Sequence, residues 1–183
     1  SKFFFNKNYK LFLSKNASES KIKTTDLINF SYIIFATHAI PESETGNSQI
    51  SGLALSYPKI VNDLDNGFLN SKEIMNINLN SELVLLSACE TATDNQAAGR
   101  AFAGMVNSFF FAGSNSVIAS HWKIESNSTV KITTNFFKNL IDDEINTAAS
   151  LRKSVLDFKK NNKEFNHPGF WGAFSVILNS RQL

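Results

Sequence analysis

Apolar residues along this chain occur in short continuous runs that alternate with longer amphipathic stretches. Four runs rich in aliphatic and β-branched residues predict strands at 32–36, 83–86, 116–120 and 174–178. The run at 83–86, Leu-Val-Leu-Leu, is continuous and does not alternate with polar residues. This pattern is typical of a strand that is covered on both faces, as in a parallel sheet.

The longer stretches predict helices. An apolar stripe at positions i, i+3, i+4, i+7 and i+8 is formed by Phe102, Met105, Val106, Phe109 and Phe110. We expect this helix to stop at Gly113 and its Phe109, Phe110 and Phe111 to form a buried face. Amphipathic helices are also predicted at 128–140 and 147–158, with Ser126 and Asn146 as caps near their starts. Strands that alternate with helices predict an α/β fold with a mainly parallel central sheet flanked by helices.

Two weaker patterns lie between the first two strand runs. Residues 52–56 and 67–69 are separated by the turn-rich segment 62–66, which predicts a hairpin. Ser71 then stands as a cap before a short helix that contains Glu73 and Met75.

Length and composition limit the classes of protein that fit. The 183 residues, 43% of them hydrophobic, suit a single domain, 1–183, with its own core. The net charge of +2 gives no reason to expect direct binding to nucleic acid, and no apolar run approaches the 18 residues of a membrane span. A single cysteine excludes an internal disulfide and a zinc site built from several cysteines, and it favours a reducing, cytoplasmic location.

Two predicted strands each lead to a residue with nucleophilic or basic chemistry. His38 follows the run at 32–36 and Cys89 follows the run at 83–86, a separation of 89 − 38 = 51 residues. Ligands of such sheets lie beyond the carboxyl ends of the strands. A thiol with a pKa of about 8.5 is mostly protonated at neutral pH, so a cysteine nucleophile gains from a neighbouring imidazole. The order and spacing are similar to those of caspases, in which the catalytic His lies about 50 residues before the Cys.

The residues also allow simpler interpretations. A lone cysteine is often a small buried apolar residue, and a lone histidine is often a packing residue. His121 and His167 lack partners at ligand spacing, so we predict no metal site and no cofactor.

Four segments resemble the successive motifs of CHAT domains, which are caspase-like cysteine peptidases related to caspases and separase and often joined to tetratricopeptide repeats. The segments are ATHA at 36–39, LVLLSACET at 83–91, FFAGSNSVIASHW at 110–122 and HPGFW at 167–171. The resemblance covers about residues 11 to 183. It implies a caspase-like sandwich and a cysteine peptidase activity.

The resemblance also implies roles for individual residues. His38 matches the catalytic histidine and Cys89 the nucleophile, while the backbone N–H groups of Ala39 and Cys89 would form the oxyanion hole. Glu125 would bind substrate by favouring Arg or Lys before the cleaved bond. Its simpler interpretation is a charge in the first turn of the helix that begins near Ser126.

Two departures from the family pattern concern specificity. The chain has Gly-Arg-Ala at 99–101 where the family often has Gly-Glu-Gly, and Glu125-Ser126 stands where an acidic pair is usual.

The sequence is therefore interpreted as a cytoplasmic cysteine endopeptidase that cleaves a protein substrate through a thioester on Cys89. The alternative is a catalytically silent caspase-like scaffold or interaction module. A non-proteolytic α/β hydrolase or thiol transferase would share the dyad but not the other motifs.

The resemblance also bears on partners and chain organisation. A tetratricopeptide-repeat region or a regulatory partner is expected beside the protein substrate. The chain begins without methionine and has only 37 residues before His38, so we expect it to be the C-terminal part of a longer domain or protein.

Overall fold

The chain alternates short strands with helices. A computed structural model describes residues 8–40, 50–87, 96–143 and 145–179, and for residues 96–102 it describes the backbone only. The strands are β1 (Tyr32–Phe35), β2 (Ala39–Ile40), β3 (Gly52–Ala54), β4 (Phe68–Asn70), β5 (Leu83–Leu86), β6 (Ser116–Ser120) and β7 (Phe174–Leu178). The helices are α1 (Glu19–Thr24), α2 (Ser71–Met75), α3 (Gln96–Ala112), α4 (Ser126–Asp142) and α5 (Thr147–Asn161).

The central sheet has the order β1-β5-β6-β7 among the described residues. Strands β1, β5 and β6 are parallel, and β7 is antiparallel to β6. The predicted α/β fold with a mainly parallel sheet is therefore confirmed. The first pair ends in the register Phe35 opposite Leu86.

Helices cover the central sheet on both faces and create two cores. Every residue of β5 and β6 is buried, as the continuous apolar run at 83–86 predicts. Because side chains alternate along a strand, Val84 and Leu86 face a core shared with α3. Leu83 and Leu85 face the opposite core, which is shared with α4 and α5.

Helix termini refine the predicted bounds. Gly113 adopts φ +113° directly after α3, so the expected stop is confirmed. Asn146 caps α5 as predicted, by accepting a hydrogen bond from the Ala149 N–H. Two caps shift by one residue: Asn70 caps α2 in a capping box with Glu73, and the cap of α4 is not Ser126 but the residue before it.

The three consecutive phenylalanines of α3 do not share one face. Phe109 is 1% exposed and Phe110 is partly buried, but Phe111 is 64% exposed. Because successive residues of a helix point about 100° apart, three in a row cannot all face the sheet. The expectation of a wholly buried face is wrong at Phe111.

In the described part of the chain, the search for helices with the length and apolar character needed to cross a membrane found none.

A second, antiparallel sheet has the order β2-β3-β4. It contains the predicted hairpin as β3 and β4. The turn of this hairpin is held by Glu19 of α1, which has no exposed surface and accepts hydrogen bonds from the N–H groups of Asn66 (2.7 Å) and Gly67 (3.1 Å).

Lys23 pairs with both Glu19 and Glu73, so it joins α1 to α2. Burial alone would lower the pKa of Lys23, but its hydrogen bonds to these two carboxylates outweigh burial and raise it.

Candidate active site

The carboxyl ends of β1 and β5 lie side by side at one edge of the central sheet. Phe35 and Leu86 are register partners, and the Ser87 N–H continues the pairing by donating to the Phe35 carbonyl at 2.9 Å. His38 follows Phe35 by three residues, and Cys89 follows Leu86 by three residues. Cys89 lies outside the described residues, so its catalytic assignment stays a prediction.

His38 lies where the chain crosses from one sheet to the other. Strand β1 belongs to the central sheet and β2 to the small sheet, and His38 stands directly before β2. Its carbonyl accepts a hydrogen bond from the Ala54 N–H at 2.8 Å. The residue is exposed, so the position allows contact with a substrate.

Thr37 adds a second bond at the same point. Its hydroxyl donates to the Ala54 carbonyl. Sequence reasoning did not single out Thr37, because its acceptor lies 17 residues further along the chain. The available signal was a hydroxyl-bearing residue directly before the candidate histidine.

The register of the small sheet orients the Ala39 N–H. Ala39 is opposite Leu53. The preceding pair is His38 and Ala54, and the bond from the Ala54 N–H to the His38 carbonyl shows that it is of the hydrogen-bonded type. Because hydrogen-bonded and non-hydrogen-bonded pairs alternate in an antiparallel ladder, the Ala39 N–H points away from β3. Strand β2 is an edge strand among the described residues. This orientation is compatible with the oxyanion-hole role, which stays a prediction.

The segment that follows β6 leaves the same edge of the sheet, beside β5. The His121 side chain is 2.8 Å from the Ser175 hydroxyl through its Nε2. The Trp122 Nε1–H donates to the Gly169 carbonyl at 3.1 Å. These bonds hold the segment after β6 against β7 and against the turn that precedes it.

Glu125 acts as the cap of α4. Its carboxylate accepts hydrogen bonds from the N–H groups of Asn127 (2.9 Å) and Ser128 (2.8 Å) and from the Ser128 hydroxyl (3.1 Å). The bond from the Asn127 N–H, followed by the one from Ser128, lowers the pKa of Glu125 below its usual range. The carboxylate is therefore charged at neutral pH. Its contact with substrate stays a prediction.

A search of the described residues for clusters of three or more potential metal ligands found none. Cys89 and Glu90 lie outside that search.

Three parallel strands with helices on both faces, extended by an antiparallel strand, define an α/β protein and are consistent with a caspase-like architecture. The chain belongs to the CHAT-domain family, because the family model described as CHAT domain matches residues 1–179. This range includes His38, Cys89 and Glu125. The family is related to caspase-like peptidases. A search of curated proteins found no match.

Proposed function

We propose that this CHAT domain is a cysteine endopeptidase in which Cys89 is the nucleophile and His38 the general acid–base. The observation that carries the proposal is the register of Phe35 opposite Leu86. Neighbouring strands are about 4.8 Å apart, and three residues of extended chain reach about 10 Å. Two segments that leave adjacent strands at the same level can therefore bring the imidazole and the thiol together.

The proposed chemistry balances without a cofactor. The His38 imidazole takes the thiol proton, and the Cys89 sulfur attacks the carbonyl carbon of the peptide bond. The backbone N–H groups of Ala39 and Cys89 would stabilise the negative oxygen. The imidazolium then gives its proton to the leaving amine, and a thioester forms as the C–N bond breaks. Water, deprotonated by the imidazole, attacks the thioester and releases the carboxylate product and the free thiol.

The test uses covalent labelling together with turnover. A library of peptidyl acyloxymethyl ketones, read by mass spectrometry, should label Cys89 in the unmodified protein. Cys89→Ala should abolish both labelling and peptide cleavage. His38→Ala should lower turnover by about 10²–10⁴-fold, the usual contribution of a positioned acid–base group.

His167→Ala is the matched control because His167 is also an exposed histidine, and its Nδ1 accepts the Gly169 N–H at 3.1 Å in the turn before β7. It should keep turnover near the unmodified value. Retained cleavage by purified Cys89→Ala would contradict the proposed mechanism. A folded protein that neither reacts at Cys89 nor cleaves any peptide would instead support a silent scaffold.

The wider biological setting stays a prediction. A protein is the proposed substrate, and a tetratricopeptide-repeat region or a regulator is the expected partner. The cytoplasmic location is a proposal of the same kind.

A further inference from the structure

We infer that Thr37 is a positioning residue for His38 and that its hydroxyl sets the orientation of the candidate general base. This inference rests on the proposed function. The observation behind it is a pair of hydrogen bonds that both involve Ala54. The Ala54 N–H donates to the His38 carbonyl, and the Thr37 hydroxyl donates to the Ala54 carbonyl.

The second bond is made to a carbonyl that also belongs to the ladder between β2 and β3. In a hydrogen-bonded antiparallel pair, the two opposite residues can exchange both of their N–H···O bonds. His38 and Ala54 make the first of these bonds. The Thr37 hydroxyl donates to the Ala54 carbonyl, the group that accepts the His38 N–H in a regular ladder. Strand β2 begins directly after His38, so this hydroxyl bond lies where the chain passes between the two sheets.

Burial shows why such a bond is needed. Ala36 and His38 are both exposed, whereas Thr37 between them is half-buried. Among the described residues, packing therefore does little to hold the histidine in place. The crossover depends on hydrogen bonds to a neighbouring strand for its conformation.

Strand β3 is a firm anchor for these bonds. Leu53, next to Ala54, is fully buried, and β3 pairs with β4 through Leu53 opposite Leu69, which is also fully buried. Gly52 lies so close to β4 that an added Cβ would be 2.5 Å from the Leu69 carbonyl oxygen. The Thr37 hydroxyl thus connects the crossover to a strand that cannot easily shift.

The test compares two substitutions of the same residue. Thr37→Val keeps the shape of the side chain and removes the hydroxyl, while Thr37→Ser keeps the hydroxyl. We expect Thr37→Val to lower kcat by about 10- to 100-fold with little change in KM, because a displacement of about 1 Å can cost 10²-fold in rate. Thr37→Ser should recover most of the loss. The substrate is the quenched fluorescent peptide that the unmodified protein cleaves fastest in a library.

A second readout does not depend on turnover. Cys89 is the only cysteine, so alkylation by iodoacetamide reports on one thiol. A correctly placed imidazole promotes thiolate formation below the ordinary thiol pKa of about 8.5. The pH profile of alkylation should therefore move towards that of an ordinary thiol in Thr37→Val and stay unchanged in Thr37→Ser.

Thr133→Val is the matched control. Thr133 is half-buried like Thr37, and its hydroxyl donates to the Thr129 carbonyl within α4. It should leave kcat and the alkylation profile unchanged. If Thr37→Val does not fold, Thr37→Ala removes the same hydroxyl without a branched side chain and carries the same expectation.

Two results would overturn the inference. One is a Thr37→Val protein with the kcat and alkylation profile of the unmodified protein. The other is a Thr37→Ser protein as impaired as Thr37→Val, since the hydroxyl would then not be the group that matters. Failure of the proposed function is a separate result, because the unmodified protein itself would then lack peptide cleavage.

Discussion

At the scale of single residues, Glu125 illustrates how one side chain can have a structural and a chemical interpretation. Its carboxylate accepts two backbone N–H groups and one hydroxyl at the start of α4. The first N–H groups of a helix have no partner within the helix, so this carboxylate stabilises the helix and is itself kept charged. A contact with a basic substrate residue would have to share a carboxylate that is already bonded.

Variants of Glu125 separate the two interpretations. Glu125→Ala should lower the midpoint of thermal unfolding because it removes the cap, and Glu125→Asn should keep most of the stability because Asn is a favourable cap. The measurements are thermal unfolding and a peptide-library cleavage profile. Loss of cleavage after Arg or Lys in the stable Glu125→Asn variant would establish contact with substrate. An unchanged profile in that variant would exclude the contact.

At the scale of elements, the end of α3 positions the strand that follows it. Gly113 has a positive φ, and the Leu79 N–H donates to the Ala112 carbonyl at 2.8 Å. The next residues, Ser114 and Asn115, lead directly into β6. The segment that carries Trp122 follows the carboxyl end of β6, and its position therefore depends on the helix end that precedes the amino end of the same strand.

Gly113→Ala should destabilise the protein strongly. An added Cβ would be 2.2 Å from the Leu79 carbonyl oxygen, and an L-residue at this φ is strained. We expect a loss of at least about 2 kcal/mol in the free energy of unfolding, measured by urea denaturation. Gly104→Ala is the control, because among the described residues no atom outside its chain neighbours and the backbone of its own helix lies within 4 Å of the added Cβ, and alanine favours a helix. Equal stability of Gly113→Ala and the unmodified protein would contradict this account of the turn.

At the scale of the whole molecule, two apolar cores hold the sheet between its helices. Phe136 of α4 is fully buried in the core shared by α4, α5 and the central sheet, and its ring packs edge-on against Phe137 at 5.0 Å between centroids. Phe137 in turn contacts Tyr32 of β1. This core thus connects the outer helix layer to the strand that leads to His38.

A pair of phenylalanine variants tests how far the stability depends on burial. Phe136→Ala should cost about 3–5 kcal/mol in the free energy of unfolding, the usual loss when a buried phenylalanine is truncated. Phe111→Ala is the same chemical change at a position that is 64% exposed, and it should change stability by no more than about 0.5 kcal/mol. Both free energies of unfolding are to be measured by urea denaturation, with circular dichroism as the signal. A similar loss in the two variants would show that the assignment of the α3 surface is wrong.

The sequence by itself determined those features that depend on local pattern. A continuous apolar run identifies β5, because a strand buried on both faces favours apolar residues at every position. Short runs rich in aliphatic and β-branched residues identify β1, β6 and β7. Gly113 and Asn146 mark helix ends through their own backbone and capping chemistry. His38 and Cys89 emerge as candidates because each follows such a run, and the four motifs point to the family that the match over 1–179 establishes.

Only the tertiary structure decided the features that join distant parts of the chain. The antiparallel direction of β7, the short strand β2 and the bond from Thr37 to Ala54 all involve partners that are many residues apart. No local hydrophobic period encodes such a partner: strands pair through backbone groups that every residue carries, and the Thr37 hydroxyl bonds to a backbone carbonyl 17 residues away. The cap of α4 is Glu125 and not the predicted Ser126 for a related reason. The path of the chain out of β6 decides which side chain reaches the first N–H groups of the helix.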